Sequence, residues 1–102
     1  MLVQHKPIYL IKKNAWNPNA MNATAFQRLV KEIETVGFLD PIQVVPLDDG
    51  TYRIIGGEHR VEAARSLNYT EVPAVILVEA RWKDEDLQKF VTVRLNVLHG
   101  KH

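Results

Sequence analysis

Ile54-Ile55-Gly56-Gly57-Glu58-His59-Arg60-Val61-Glu62-Ala63-Ala64 is the stretch that decides how this chain is read. Two β-branched residues lead through a glycine pair into a helical pattern that opens with a carboxylate, an imidazole and a guanidinium. A strand, a turn without side chains and a helix N-terminus together suit an anion. Backbone N–H groups point outward there, and the helix dipole adds partial positive charge. Phosphate fits, with Gly56 and Gly57 allowing close approach, Arg60 offering a bidentate fork and His59 a further donor or a proton carrier. Glu58 repels phosphate unless a cation lies between them, which magnesium held by one or two carboxylates and nucleotide phosphates would supply. The alternatives stay open at this point. The glycines can serve only to pack a helix on a strand, and Glu58 can be a plain first-turn charge worth about 0.3–1 kcal/mol. Neither G-x-x-x-x-G-K-[ST] nor G-x-G-x-x-G is present.

Working outward, Ile42 to Leu47 and Thr51 to Ile55 are short β-rich runs joined by Asp48-Asp49-Gly50, a hairpin signal. Upstream, Phe26, Leu29, Val30, Ile33 and Val36 recur at helical spacing. Thr24 and Gln27 have capping-box spacing before this face, and Gly37 supplies a left-handed stop. Ile8 to Ile11 reads as a first buried strand, followed by a turn-rich loop through Asn17-Pro18-Asn19. Downstream, the helix beginning near Glu58 buries Val61, Ala64 and Leu67, with Asn68 as its left-handed cap. Val72 to Val78, with Pro73 near its start, reads as a strand buried on both faces. Asp84 can cap a last helix carrying Leu87, Phe90, Val91, Leu95 and Leu98. The expected order is β-α-β-β-α-β-α, an α+β domain with a mixed sheet flanked by helices.

The totals narrow the function classes. At 102 residues the chain is expected to form one domain, residues 1–102, burying roughly 65% of its unfolded surface. Thirteen basic against twelve acidic residues leave +1, so no global field steers it onto nucleic acid. Cysteine is absent, which removes disulfides, thiolate nucleophiles and thiolate metal sites. No signal peptide and no apolar run near the roughly 20 residues of a membrane span is visible, so a cytoplasmic, membrane-free protein is expected. The four histidines show no metal-ligand spacing. Trp16 and Trp82 read as rim or buried aromatics, with base stacking as the alternative. Lys6, Lys12 and Lys13 are too small a cluster to argue DNA binding.

Gly57-Glu58-His59-Arg60-Val61-Glu62-Ala63-Ala64 resembles the G-E-R-R-x-x-A-A box of ParB N-terminal domains, with His59 in place of the first arginine. Asn17-Pro18-Asn19 sits where that family has an N-P-x-x-x-R loop, although nothing basic follows Asn19 before Arg28. Leu29 to Val44 resembles its "helix, glycine, then P-I-x-V" passage, and Asn68 to Val75 its L-G-x-x-x-V-P-x-x-V strand. The resemblance covers nearly the whole chain and implies the ParB/sulfiredoxin fold.

The functions that the resemblance implies are more varied. ParB proteins bind CTP with magnesium, close a dimeric clamp on DNA and hydrolyse the nucleotide slowly. Carried onto this chain, the box's phosphate contacts fall on Gly57, Glu58 and Arg60, and together with the reading of the residues the phosphate site is expected at Gly56, Gly57, His59 and Arg60. Metal contacts are expected at Glu58 and Asn96, and a catalytic role as general base at His59 or Glu58 in a small-molecule kinase of the same fold. The family's later E-N-x-x-R motif corresponds to Leu95-Asn96-Val97-Leu98-His99, which keeps only the asparagine, so binding is implied more than turnover. A weak nucleoside triphosphatase is the most the resemblance carries. The implied ligand is CTP, or ATP, with magnesium. The implied partners are DNA reached through another domain or protein, and a second copy in a homodimer. The implied role is a switch in chromosome or plasmid partitioning. Sulfiredoxin is a second relative, but Glu58 stands where its box has cysteine, which excludes sulfinic-acid reduction. Free-serine kinases of the same fold carry G-H-H-R, matched by His59-Arg60, so an ATP- or ADP-dependent small-molecule kinase is the competing expectation. A catalytically silent interaction module is the third.

Overall fold

The computed structural model describes residues 3–17 and 21–99, with side chains in the last helix as far as residue 95. Its first element is strand β1 (Val3–Pro7). A 3₁₀ turn over Ile8–Leu10 then leads into the two-residue strand β2 (Ile11–Lys12). This corrects the expected strand at Ile8–Ile11. Ile8 and Ile11 are both buried while Tyr9 is 82% exposed. Burial three residues apart is the repeat of a 3₁₀ turn, whereas a strand would bury alternate positions. Ile8 N–H donates to the Thr70 carbonyl at 2.9 Å, which ties the turn to the residue just before Glu71, the partner of Pro7 in the sheet.

Helix α1 (Ala23–Val36) starts two residues earlier than the Thr24–Gln27 capping box implies. Its N-cap is Asn22, whose side chain accepts from Ala25 N–H at 2.8 Å. Gly37, at φ +83, ends it as expected. Ile33 is buried on its inner face, but Val36, expected on that face, is 54% exposed. Strands β3 (Ile42–Pro46) and β4 (Tyr52–Gly56) form the expected antiparallel hairpin. Gly50, at φ +86, makes its turn. Helix α2 (Glu58–Ser66) buries Val61, Ala63 and Ala64. Asn68, at φ +65, takes the left-handed position after it. Strand β5 (Glu71–Ile76) and a second 3₁₀ turn (Ala80–Lys83) precede helix α3 (Glu85–His99). Asp84 caps α3 by accepting from Asp86 N–H at 2.9 Å.

The five strands form one mixed sheet in the order β1-β5-β3-β4-β2. β1 runs antiparallel to β5, β5 parallel to β3, β3 antiparallel to β4 and β4 parallel to β2. The fold is α+β, with one strand more than the sequence pattern implied. Ile42, Val44, Ile54, Val72 and Ala74 from the sheet pack with Val61 and Ala64 of α2 and with Ile8 and Ile11. Alternation along the strands accounts for these choices. Helix α3 packs against β4, and it turns Gln88 and Thr92 inward while Phe90 is 60% exposed. That reverses the expectation for Phe90. The face of β4 meeting α3 carries Arg53, whose guanidinium donates to the Gln88 side-chain oxygen at 3.1 Å.

Candidate functional site

The register of the hairpin slips where β4 reaches the glycines. Gln43 pairs with Gly56 but Val44 pairs with Ile54, so Ile55 is an extra residue on β4. Such a bulge bends the strand and re-aims the residues beyond it. Gly56, the last residue of β4, is buried. A side chain there would collide with Gln43 Oε1 and come within 2.8 Å of Leu95 Cδ1, so this glycine lets β3 and α3 close over the strand end. Gly57 comes next at φ +98, ψ 22, the left-handed conformation that turns the chain from strand into helix. It is the N-cap of α2 and, as a glycine, offers no side chain to cap the first turn. The first-turn N–H groups, orphaned by helix geometry, are therefore left for a ligand or solvent.

Glu58, His59 and Arg60 form that first turn and are all half-buried. Arg60 does not extend outward. Its Nη2 donates to the Pro41 carbonyl at 3.1 Å, and the same carbonyl accepts from Gln43 Nε2 at 3.2 Å. Arg60 Nε is buried without a hydrogen-bond partner. Burial pushes the Arg60 pKa below its ordinary value, while the Asp40 carboxylate works the other way. An arginine remains charged at neutral pH even so. A half-buried guanidinium with its Nε–H buried and orphaned, beside a helix N-terminus that starts at glycine, fits an anionic ligand.

Glu58 is held by the asparagine-rich loop before α1, a contact that the sequence did not indicate. Asn17 Nδ2 donates to Glu58 Oε2 in a short hydrogen bond. Lys13 Nζ reaches Glu62 Oε1 at 3.4 Å, one helical turn further along. Among the described residues no group of three His, Cys, Asp or Glu side chains is placed to hold a metal. Glu58 thus offers a single carboxylate. That fits a magnesium ion carried in on phosphate oxygens, which needs one or two protein carboxylates, better than a resident metal. Asn96 lies on α3, but its side chain falls outside the described residues. Pro18 and Asn19 also fall outside them.

The other singled-out residues are accounted for structurally. Trp16 lies under the Arg53 guanidinium at 5.2 Å, and Trp82 buries its indole nitrogen without a partner. Lys12 pairs with Asp49 at 3.0 Å, and Lys6 sits over the Tyr52 ring at 5.0 Å. A shallow concavity of about 570 Å³, lined by residues including His5, Phe38, Tyr69 and Glu71, contains no residue of the glycine motif. Among the described residues no helix is long and apolar enough to cross a membrane.

With this geometry in place, comparison with known proteins defines the class. Residues 2–90 match the ParB N-terminal domain. The chain belongs to that family. It is 32% identical over 75 residues to the "Probable chromosome-partitioning protein ParB" of Pseudomonas putida, covering 72% of this chain and 26% of that protein. It is 36% identical over 75 residues to the nucleoid occlusion protein of Geobacillus kaustophilus, covering 72% and 27%. The fold superposes on the C-terminally truncated chromosome-partitioning protein ParB of Caulobacter crescentus, solved in complex with CTP-gamma-S. That match has a TM-score of 0.81 and 26% identity over 96% of this chain and 54% of that one. Sulfiredoxin from Arabidopsis thaliana shares the fold at a TM-score of 0.68 and 24% identity, covering 78% and 88% of the two chains. The chain spans about a quarter of the length of the curated relatives it matches.

Proposed function

We propose that this chain is a nucleotide-binding domain of the ParB type, taking CTP, or ATP, as its magnesium complex. The observation that carries the reading is the first turn of α2 behind left-handed Gly57, which has no side chain to cap it, with the half-buried Arg60 guanidinium beside it. A similar fold, 26% identical, was solved with a CTP analogue, which supports the choice of ligand class. In this reading the phosphates meet Gly57, His59 and Arg60, and Gly56 lets the strand end approach closely enough for the turn to form. Glu58 and Asn96 would hold the metal. When bound, magnesium neutralises phosphate charge that Glu58 would otherwise repel. Arg60, with Nη2 held on the Pro41 carbonyl, offers the phosphates its positive charge and its remaining N–H groups, and the first-turn N–H groups orient them.

We further assign residues 1–102 to one folding unit whose nucleotide state controls association with DNA or with a second copy. The relatives' roles in chromosome partitioning and nucleoid occlusion support a cytoplasmic site of action. Slow hydrolysis with Glu58 or His59 as base belongs to the same proposal, as a secondary property. Isothermal titration with CTP, ATP, ADP and GTP in the presence of magnesium tests the reading. Micromolar binding of at least one is expected, and binding of none overturns it. Phosphorylated product from ATP or ADP with free serine or another small hydroxylated acceptor would move the assignment to phosphotransfer, with His59 or Glu58 as the base.

A further inference from the structure

We infer that Asn17 is a positioning residue for Glu58, and that residues 13–17 form a strap that sets the carboxylate's direction at the start of α2. The inference rests on the proposed nucleotide site, in which Glu58 meets a phosphate-borne magnesium ion. Asn17 does not touch the ligand in this proposal; it acts through Glu58.

The strap is anchored on both sides. On the α2 side, Asn17 Nδ2 donates to Glu58 Oε2, and Lys13 Nζ pairs with Glu62 Oε1 at 3.4 Å. Glu58 and Glu62 are four residues apart, so they share one face of the helix and the strap lies along it. On the sheet side, Asn14 Nδ2 donates to the Ile54 carbonyl at 2.5 Å and to Thr92 Oγ1 at 3.1 Å. Asn14 Oδ1 in turn accepts from Trp16 N–H at 3.0 Å, and the Trp16 ring lies under Arg53. Lys13, Asn14 and Trp16 thus fix the backbone from which Asn17 reaches Glu58.

The donor determines the chemistry. A carboxylate on an exposed helix start rotates among several rotamers, and only some aim an oxygen at a metal on the bound phosphates. A fixed amide N–H on Oε2 selects one rotamer and presents Oε1 in a set direction. Partners that orient a metal-binding carboxylate typically govern metal affinity by about 10–100-fold.

The test is titration of CTP and ATP into the wild-type chain, Asn17→Ala, Asn17→Asp, Glu58→Ala and the Asn17→Ala/Glu58→Ala pair, each in magnesium and in EDTA. Asn17→Ala should weaken binding in magnesium about 10–100-fold and leave binding in EDTA and the melting temperature near wild type. Asn17→Asp, which keeps the shape but loses the donor, should not restore affinity. In the Glu58→Ala background, Asn17→Ala should change nothing further. Three results would each overturn the assignment. They are wild-type affinity in Asn17→Ala or Asn17→Asp, an equal loss in EDTA, and a loss that persists without Glu58. Failure of the wild-type chain to bind either nucleotide removes the underlying reading instead, and the assignment falls with it.

Discussion

At Gly57 the backbone sits at φ +98, and an added Cβ would meet Ile42 Cγ2 at 2.7 Å and Arg60 Nη2 at 2.8 Å. The need for glycine there was legible in the sequence, because a strand must turn into a helix within one residue. The fate of Arg60 was not. A guanidinium at the first turn reads as an outward anchor, yet the carbonyl of Pro41 holds it back beside Gly57. Only the α1–β3 connection, distant in sequence, supplies that carbonyl. Asn17 was hidden for the same reason: an asparagine-rich loop announces turns but not which carboxylate one of its amides will reach. Gly57→Ala should cost about 1–3 kcal/mol, from left-handed strain and the forced shift of Ile42. For a chain of this size that lowers the melting temperature by roughly 4–8 °C per kcal/mol, readable by thermal circular dichroism. An unchanged melt would mean that the turn relaxes. Arg60→Lys should keep the fold and weaken nucleotide binding at least about tenfold, because an ammonium lacks the guanidinium's further N–H groups. Titration beside a thermal melt separates the two effects.

At the scale of elements, the helices and the hairpin were legible because their signals are local. Gly37, Gly50 and Asn68 all take the positive φ that their positions implied. The first strand was not, since four apolar residues in a row do not distinguish alternation from a three-residue repeat. The α1 cap was misplaced because Asn22 and Thr24 are both capable caps two residues apart. Asn22→Ala should therefore cost about 1 kcal/mol while Thr24→Ala costs little, as chemical denaturation can show. The hairpin carries a pH-dependent contribution. Asp49 accepts from the Thr51 hydroxyl at 2.5 Å and from its N–H at 3.0 Å, and it pairs with Lys12. The Thr51 hydroxyl first, and then Lys12, hold its carboxyl well below the usual carboxylate range. A depressed folded pKa means that the unfolded chain binds the proton more readily, so stability rises with pH. The contribution is complete above the unfolded value of about 3.9 and is lost as pH falls through the lower folded value. Denaturation midpoints of wild type and Asp49→Asn should differ at pH 6 and converge in strong acid. A gap that persists at low pH would show that the charge is not its source.

Over the whole molecule, one face of the sheet is packed by apolar residues and the other mixes apolar burial with polar contacts. One side is an apolar cluster of Ile42, Val44, Ile54, Val72 and Ala74 under α2. On the other, where Val45, Ile55 and Val75 are also buried, polar contacts run from Arg53 of β4 to Gln88 and Glu85 of α3 and from Asn14 to Thr92. Leu87, Val91 and Leu95 are only half-buried there. Helical periodicity named α3 correctly but not its inner face, because the polar partners that draw Gln88 and Thr92 inward lie on β4 and in the loop before α1. Polar contacts contribute less net free energy than apolar burial but are costly when one partner is removed. Helix α3 should therefore open at lower free energy than β3 and β5, so its amides should exchange faster under native conditions. Asn14→Ala strips donors from the Ile54 carbonyl and Thr92 Oγ1 together. It should cost about 1–3 kcal/mol and should speed exchange in α3 and the first turn of α2 far more than in β5. A uniform rise across all amides would show instead that α3 unfolds only with the rest of the chain. In that case the polar seam would be part of one cooperative core, and the first turn of α2 would owe its shape to the whole fold rather than to the strap.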